Sequence, residues 1–169
     1  MRLERARALV DEYRGRPMLV DSNLLVVLLI GLWRPDLLGG RATGDEYRRE
    51  DFEFLARLLE SARPWIVTPH ILTEADNRIE RVGINLAPNA RAFVGRFLDR
   101  LEETRPRASR IVEEHGFARL GLADGAIIRV ARKHACLVVT SDHALSTELG
   151  RLDLPVLYYP ELRQRFSTD

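Results

Sequence analysis

Apolar positions recur along the chain with two periods, and the changes between them predict the elements. Leu3, Ala6, Val10 and Tyr13 fall at helical spacing with Arg on the opposite side. This predicts an amphipathic helix over about 3–13, within a helical extension of about 1–16 ahead of the first strand. Met18-Leu19-Val20 is a short unbroken apolar run and reads as a buried strand. Residues 22–32 are apolar nearly all round, which predicts a buried helix, and Arg34-Pro35 through Gly39-Gly40 to Gly44 reads as a loop. A helix over about 46–61 stops before Pro64, and Trp65-Ile66-Val67 is a second strand. Thr68-Pro69 opens a helix through Arg81, because Thr suits the N-cap and Pro the first helical position.

Ala90, Phe93, Val94, Phe97, Leu98 and Leu101 form the cleanest amphipathic stripe and are expected in the core. Ala123, Ala126, Ile127, Val130 and Ala131 form another, with Asp124 in the N-terminal turn of its helix. Leu137-Val138-Val139-Thr140 reads as a buried strand, and Pro155-Val156-Leu157-Tyr158 as a final edge strand, where an initial Pro is tolerated. Strands alternating with helices imply an α/β fold, a three-layer α/β/α sandwich with a mainly parallel central sheet. With 169 residues, 46% of them hydrophobic, the chain fits a single domain over 1–169.

Composition narrows the classes. Cys136 is the only cysteine, which excludes an intramolecular disulfide and a cysteine-based zinc site. The first residues lack the apolar core of a signal peptide, and Leu24 to Leu32 is about half a bilayer span, so a cytoplasmic protein with no membrane association is expected. Net charge is only +1, yet of 26 basic residues Lys133 is the one Lys. Such Arg use fits bidentate phosphate recognition, and equally a compositional bias toward Arg.

The candidate chemistry is acidic. The first strand leads into Asp21-Ser22-Asn23 and the 137–140 strand into Ser141-Asp142, so both Asp residues stand at carboxyl ends of strands, where open α/β sheets place their sites. Asp124 opens one helix and Glu74 lies on another. Each has a local explanation, helix capping for the Asp residues and a solvated helix face for Glu74. Capping does not explain the shared edge. Clustered carboxylates raise one another's pKa, whereas a hard Mg²⁺ or Mn²⁺ ion takes several oxygens and keeps them ionised. Such a site suits phosphodiester hydrolysis, with Asp21 and Asp142 as direct or water-mediated ligands and Glu74 and Asp124 completing the pocket. Thr140 and Asn23 are placed to hold ligands or substrate. Arg78 and Arg81, a turn beyond Glu74, are candidate phosphate contacts or a solvated face. His70 is four residues from Glu74 and reads as a second metal donor or a surface partner, His143 as a phosphate contact or a helix start, and His115 and His134 as structural or exposed. A phospho-acceptor receiver is disfavoured, because Ser22-Asn23 follow Asp21 and the one Lys lies mid-helix; the same triplet lacks the D-x-D of dehalogenase-like phosphatases.

Together V-D-S-N at Val20–Asn23, L-T-E ending at Glu74, L-A-D-G around Asp124 and T-S-D ending at Asp142 resemble the motifs of the PIN-domain ribonuclease family, from about Met18 to about Tyr159. The resemblance implies that Asp21, Glu74, Asp124 and Asp142 are catalytic, that Asp21, Asp124 and Asp142 bind the metal, and that Thr140 and Asn23 support them. It also implies RNA as substrate and, in the toxin nucleases of toxin-antitoxin modules, a homodimer and an antitoxin protein that covers the site. A housekeeping PIN nuclease and a non-catalytic RNA- or protein-binding scaffold are the alternatives.

Overall fold

The computed structural model describes residues 3–40, 43, 47–81 and 88–166. From the N-terminus come α1 (Leu3–Glu12), β1 (Met18–Val20), α2 (Ser22–Trp33), a 3-10 turn (Pro35–Leu37), α3 (Arg49–Glu60), β2 (Trp65–Val67), α4 (Pro69–Arg81) and α5 (Pro88–Leu98). There follow β3 (Glu102–Glu103), α6 (Ala108–Ile111), α7 (Phe117–Leu120), α8 (Leu122–His134), β4 (Leu137–Thr140), α9 (His143–Arg151), β5 (Val156–Tyr158) and α10 (Tyr159–Phe166).

The strands form one parallel sheet in the order β3-β2-β1-β4-β5. Leaving β1, the chain steps outward through β2 to β3, then returns past both to β4 and steps outward again to β5. Right-handed crossovers therefore put α2–α5 on one face and α6–α9 on the other, giving the three-layer α/β/α sandwich. The order reverses between β1 and β4, so the gap above their carboxyl ends is the topological switch point of the sheet.

β1 and β4 are covered on both faces, and every residue of both is buried. Their register aligns Met18 with Leu137, Leu19 with Val138 and Val20 with Val139. α2 is buried on nearly every side, with Leu24 through Ile30 all within the core. Gly31 lets α3 approach, since a Cβ there would meet the Phe52 ring at 2.3 Å. On α3, Asp51 is buried; it accepts the Arg48 N–H at 2.6 Å, the Tyr159 hydroxyl at 2.6 Å and the Arg163 Nε at 2.9 Å, which pins α10 to the body.

The layer holding α6–α8 has its own charged anchors. Glu148 on α9 is fully buried and takes His115 at 2.5 Å, Arg119 at 2.7 Å and Arg151 at 3.2 Å. Hydrogen bonding from His115, followed by Arg119 and the charge of Arg151, holds its carboxyl below the usual range. Glu114 is buried likewise between Arg129 and Arg132, at 3.0 and 2.6 Å. The arginines these carboxylates engage are committed to structure.

Several expectations need correction. The 34–44 segment contains a 3-10 turn, started by Pro35, while Gly44 lies outside the described residues. The helix expected from about 46 begins at Arg49, because Arg48 is extended and its N–H is held by Asp51 three residues on. Of the stripe expected in the core, only Phe97 is fully buried; Phe93, Val94, Leu98 and Leu101 are half-buried, and the Ala90 side chain lies outside the described residues. α5 lies at the margin of the sandwich, where Phe97 meets Trp65 edge to face at 5.8 Å between ring centroids. β3, the edge strand it leads into, is two exposed glutamates with no apolar signature. Among the described residues no helix is long and apolar enough to cross a membrane.

Leu25 on α2 is 1% exposed and central to this packing. Leu25→Ala is expected to destabilise the fold by about 2–5 kcal/mol, read as a drop in thermal midpoint of about 2–4 °C per kcal/mol.

Candidate functional site

Asp21 follows β1 and caps α2, so its carboxylate lies at the switch point. Its Oδ1 accepts the Leu24 N–H at 2.8 Å. Its Oδ2 accepts the Thr140 hydroxyl at 2.5 Å and the Ser141 N–H at 2.7 Å, both from the neighbouring strand end. Asp142 caps α9 by accepting the Leu145 N–H at 2.9 Å, and its own N–H donates to Thr140 Oγ1 at 2.9 Å. The Thr140 hydroxyl thus gives its proton to one Asp and takes the backbone N–H of the other. It ties the two acidic residues into one unit.

The other two carboxylates arrive from opposite faces. Glu74, on the exposed side of α4, accepts the Ser22 hydroxyl at 2.9 Å. Asp124 stands in the first turn of α8, three residues after the N-cap position Gly121, and so does not cap it. A close approach of α8 to α6 sets its position, and Gly125 permits that approach, since a Cβ there would lie 2.7 Å from Ile111 Cγ2. Asp21, Glu74, Asp124 and Asp142 all line one cleft of about 470 Å³, and Arg78 and Asn77 stand at its α4 wall.

The four carboxylates are close enough for their charges to shift the titration of Asp124 and Asp21. Burial, followed by the charges of Asp142, Glu74 and Asp21, pushes the Asp124 carboxyl up to about 7. Burial also raises Asp21, against the opposing effect of hydrogen bonds from Thr140, Leu24 and Ser141, with Asp142 adding to the rise. This is the response expected of clustered like charges in a partly dry site.

The donor set fits a hard divalent cation. All four groups offer oxygen, the preference of Mg²⁺ and Mn²⁺. Asp21 Oδ1 and Asp142 Oδ1 each accept one backbone bond, and among the described residues Asp124 accepts none. No three His, Cys, Asp or Glu side chains among the described residues stand close enough to form a finished ion-binding group. A cation that keeps water and substrate oxygens in its shell needs only one or two carboxylates, as Mg²⁺ does.

Around these four, Asn23 bridges, donating to Ser141 Oγ at 3.1 Å and accepting from Arg78 Nη1. Arg78 is therefore in the cleft wall, whereas the Arg81 side chain lies outside the described residues. His143 is not part of the cleft lining and meets Tyr158 edge to face, and His115 serves Glu148. His70 makes no bond to Glu74, and its Nδ1 is buried without a partner, as is Nε2 of His134. Ser22 and Ser141 have roles that the motifs contained but did not reveal. The Ser141 contribution is chiefly a backbone N–H, which no side-chain pattern announces.

Compared with known proteins, the chain matches no family model, and no curated protein matches it significantly.

Asp124 generates a pH prediction. Its folded pKa lies above the ordinary value, so the folded state binds the proton more tightly than the unfolded state, and stability declines as pH rises from about 4 to about 7, then levels off. In metal-free buffer Asp124→Asn is expected to raise the thermal midpoint at pH 8, with the gain over wild type vanishing toward pH 4. An equal gain at both pH values would remove the charge explanation.

Proposed function

We propose that the chain is a divalent-metal-dependent ribonuclease of the PIN kind, hydrolysing RNA phosphodiester bonds. The observation that carries this reading is the convergence of Asp21, Glu74, Asp124 and Asp142, from four different elements, on one cleft at the switch point. Mg²⁺ or Mn²⁺, when bound, supplies neutralisation of phosphate charge and activation of water. Asp21, Asp124 and Asp142 are the residues that would hold it, one or two of them directly and the rest through its water shell. The fixed bonds of Asp21 Oδ2 to Thr140 and Ser141 present that carboxylate in a single orientation, and the N-cap bond does the same for Asp142.

Among the described residues Glu74 is tethered only through Ser22, and it faces the cleft, which suits it to orient a water molecule and receive its proton. Arg78 offers the cleft a guanidinium, released from Asn23 when a phosphate takes its place. Arg81, the last residue of the same helix, is the second candidate for a phosphate contact. A protein that controls this cleft would do so by placing a basic side chain among the carboxylates, the role an antitoxin fills in the toxin branch of the family.

The test is cleavage of a mixed-sequence RNA by purified protein. Asp21→Asn and Asp142→Asn are each expected to reduce the rate at least about a hundredfold while remaining folded. Activity that persists in excess chelator would overturn the metal assignment, and RNA binding without cleavage in wild type would favour a scaffold. Mg²⁺ or Mn²⁺ should also stabilise the wild type by about 2.7 kcal/mol at a hundredfold excess over Kd, and less so Asp21→Asn.

Arg78→Ala is expected to weaken RNA binding across sequences and to flatten the salt dependence by about one ion. An unchanged slope in a binding titration would return Arg78 to its structural bond with Asn23.

A further inference from the structure

A second, smaller cavity of about 300 Å³ adjoins the acidic cleft, lined by Pro69, His70, Thr73, Glu74, Leu122 and Ala123. Glu74 and Ala123 line both cavities, so a ligand fixed at the carboxylates reaches this pocket with its neighbouring group. Its chemistry differs from the cleft. Pro69, Leu122 and Ala123 give apolar walls, and Glu74 on the shared side is its only charged residue. Among the described residues that line it there is no Lys or Arg to meet a second phosphate. Leu122 is 42% exposed, one of three large hydrophobics so exposed among the described residues, and it stands at the pocket wall.

The polar groups of the pocket belong to Thr73 and His70. The Thr73 hydroxyl is exposed and makes no hydrogen bond among the described residues. The His70 ring is half-buried with Nδ1 enclosed and unpartnered. An orphaned N–H is rarer in protein interiors than an orphaned acceptor, so the tautomer with its proton on Nε2 is the cheaper one. That makes Nε2 the ring's donor.

We propose that this pocket holds the nucleobase next to the scissile phosphate, and so sets the base preference of the nuclease; the proposal rests on the ribonuclease reading. A flat group with apolar faces and a hydrogen-bonding edge, one sugar away from a phosphodiester, matches the walls, the two polar groups and the shared border. A base held outside a stack packs between aromatic or apolar side chains and is told apart by hydrogen bonds to its edge.

The experiment compares nucleoside 5′-monophosphates with ribose 5-phosphate, which lacks the base, by calorimetric titration of the full chain in Mg²⁺. Wild type is expected to bind at least one nucleotide about tenfold or more tighter than ribose 5-phosphate. Leu122→Ser and Thr73→Val, both at exposed positions compatible with folding, are expected to remove most of that advantage and to leave ribose 5-phosphate binding unchanged. Equal affinities in wild type, or variants that keep the advantage, overturn the proposal. Cleavage-site mapping on mixed-sequence RNA separates the two readings. RNA cut without flanking preference, and without a nucleotide advantage, removes the base pocket and leaves the nuclease. A nucleotide advantage that the two variants abolish, in a protein that cuts no RNA, removes the nuclease and leaves the pocket.

Discussion

The burial of the Asp21 carboxylate between two strand ends is the constraint on which the rest depends. An isolated carboxylate taken out of water costs many kcal/mol, and the penalty falls only where hydrogen-bond donors meet its oxygens. Here the donors come from Leu24 on its own helix and from Thr140 and Ser141 beyond β4. They are in place only if Val20 stands opposite Val139. A slip of one residue would face Thr140 the other way and displace the donors at the end of β4. The register of the central strands and the geometry of the site are thus one requirement. Burial still raises the Asp21 pKa despite these donors, so the position is retained at a cost to stability.

The switch point extends this requirement to both faces of the sheet. Because α2–α5 and α6–α9 lie on opposite sides, α4 and α8 meet only where the sheet parts, above β1 and β4. That meeting brings Glu74 and Asp124 within electrostatic reach of the strand-end pair. Gly125 sets how closely α8 packs on α6, which gives the glycine of L-A-D-G a packing reason.

What was legible in the sequence follows the strength of each physical signal. The apolar runs of β1, β2 and β4 and the caps at Asp21 and Thr68 read correctly because burial and capping are local and strong. β3 left no trace, since a two-residue edge strand of exposed glutamates has no side to bury. α6, α7 and α10 were missed because they are short or depend on distant partners, as α10 does on Asp51. The four acidic residues could be singled out one by one, but their coupling needed the crossing of α4 and α8. Arg content was ambiguous in the sequence for a sound reason. Arg119, Arg129, Arg132 and Arg151 serve buried Glu114 and Glu148, while Arg78 faces the cleft.

The sheet order also bears on how the chain is made. β1 lies at the centre, yet its partner β4 comes late, with Thr140 119 residues beyond Asp21. At a ribosomal pace of 5–20 residues per second, that delay is roughly 6–24 s. Throughout it, β1 has β2 on one flank and no strand on the other, although α3 and α4 are already made and can pack on α2. A nascent chain of this topology therefore leaves one edge of its central strand unpaired until the strand that seals it is made. The acidic site, which needs both strands, assembles only once β4 has been made.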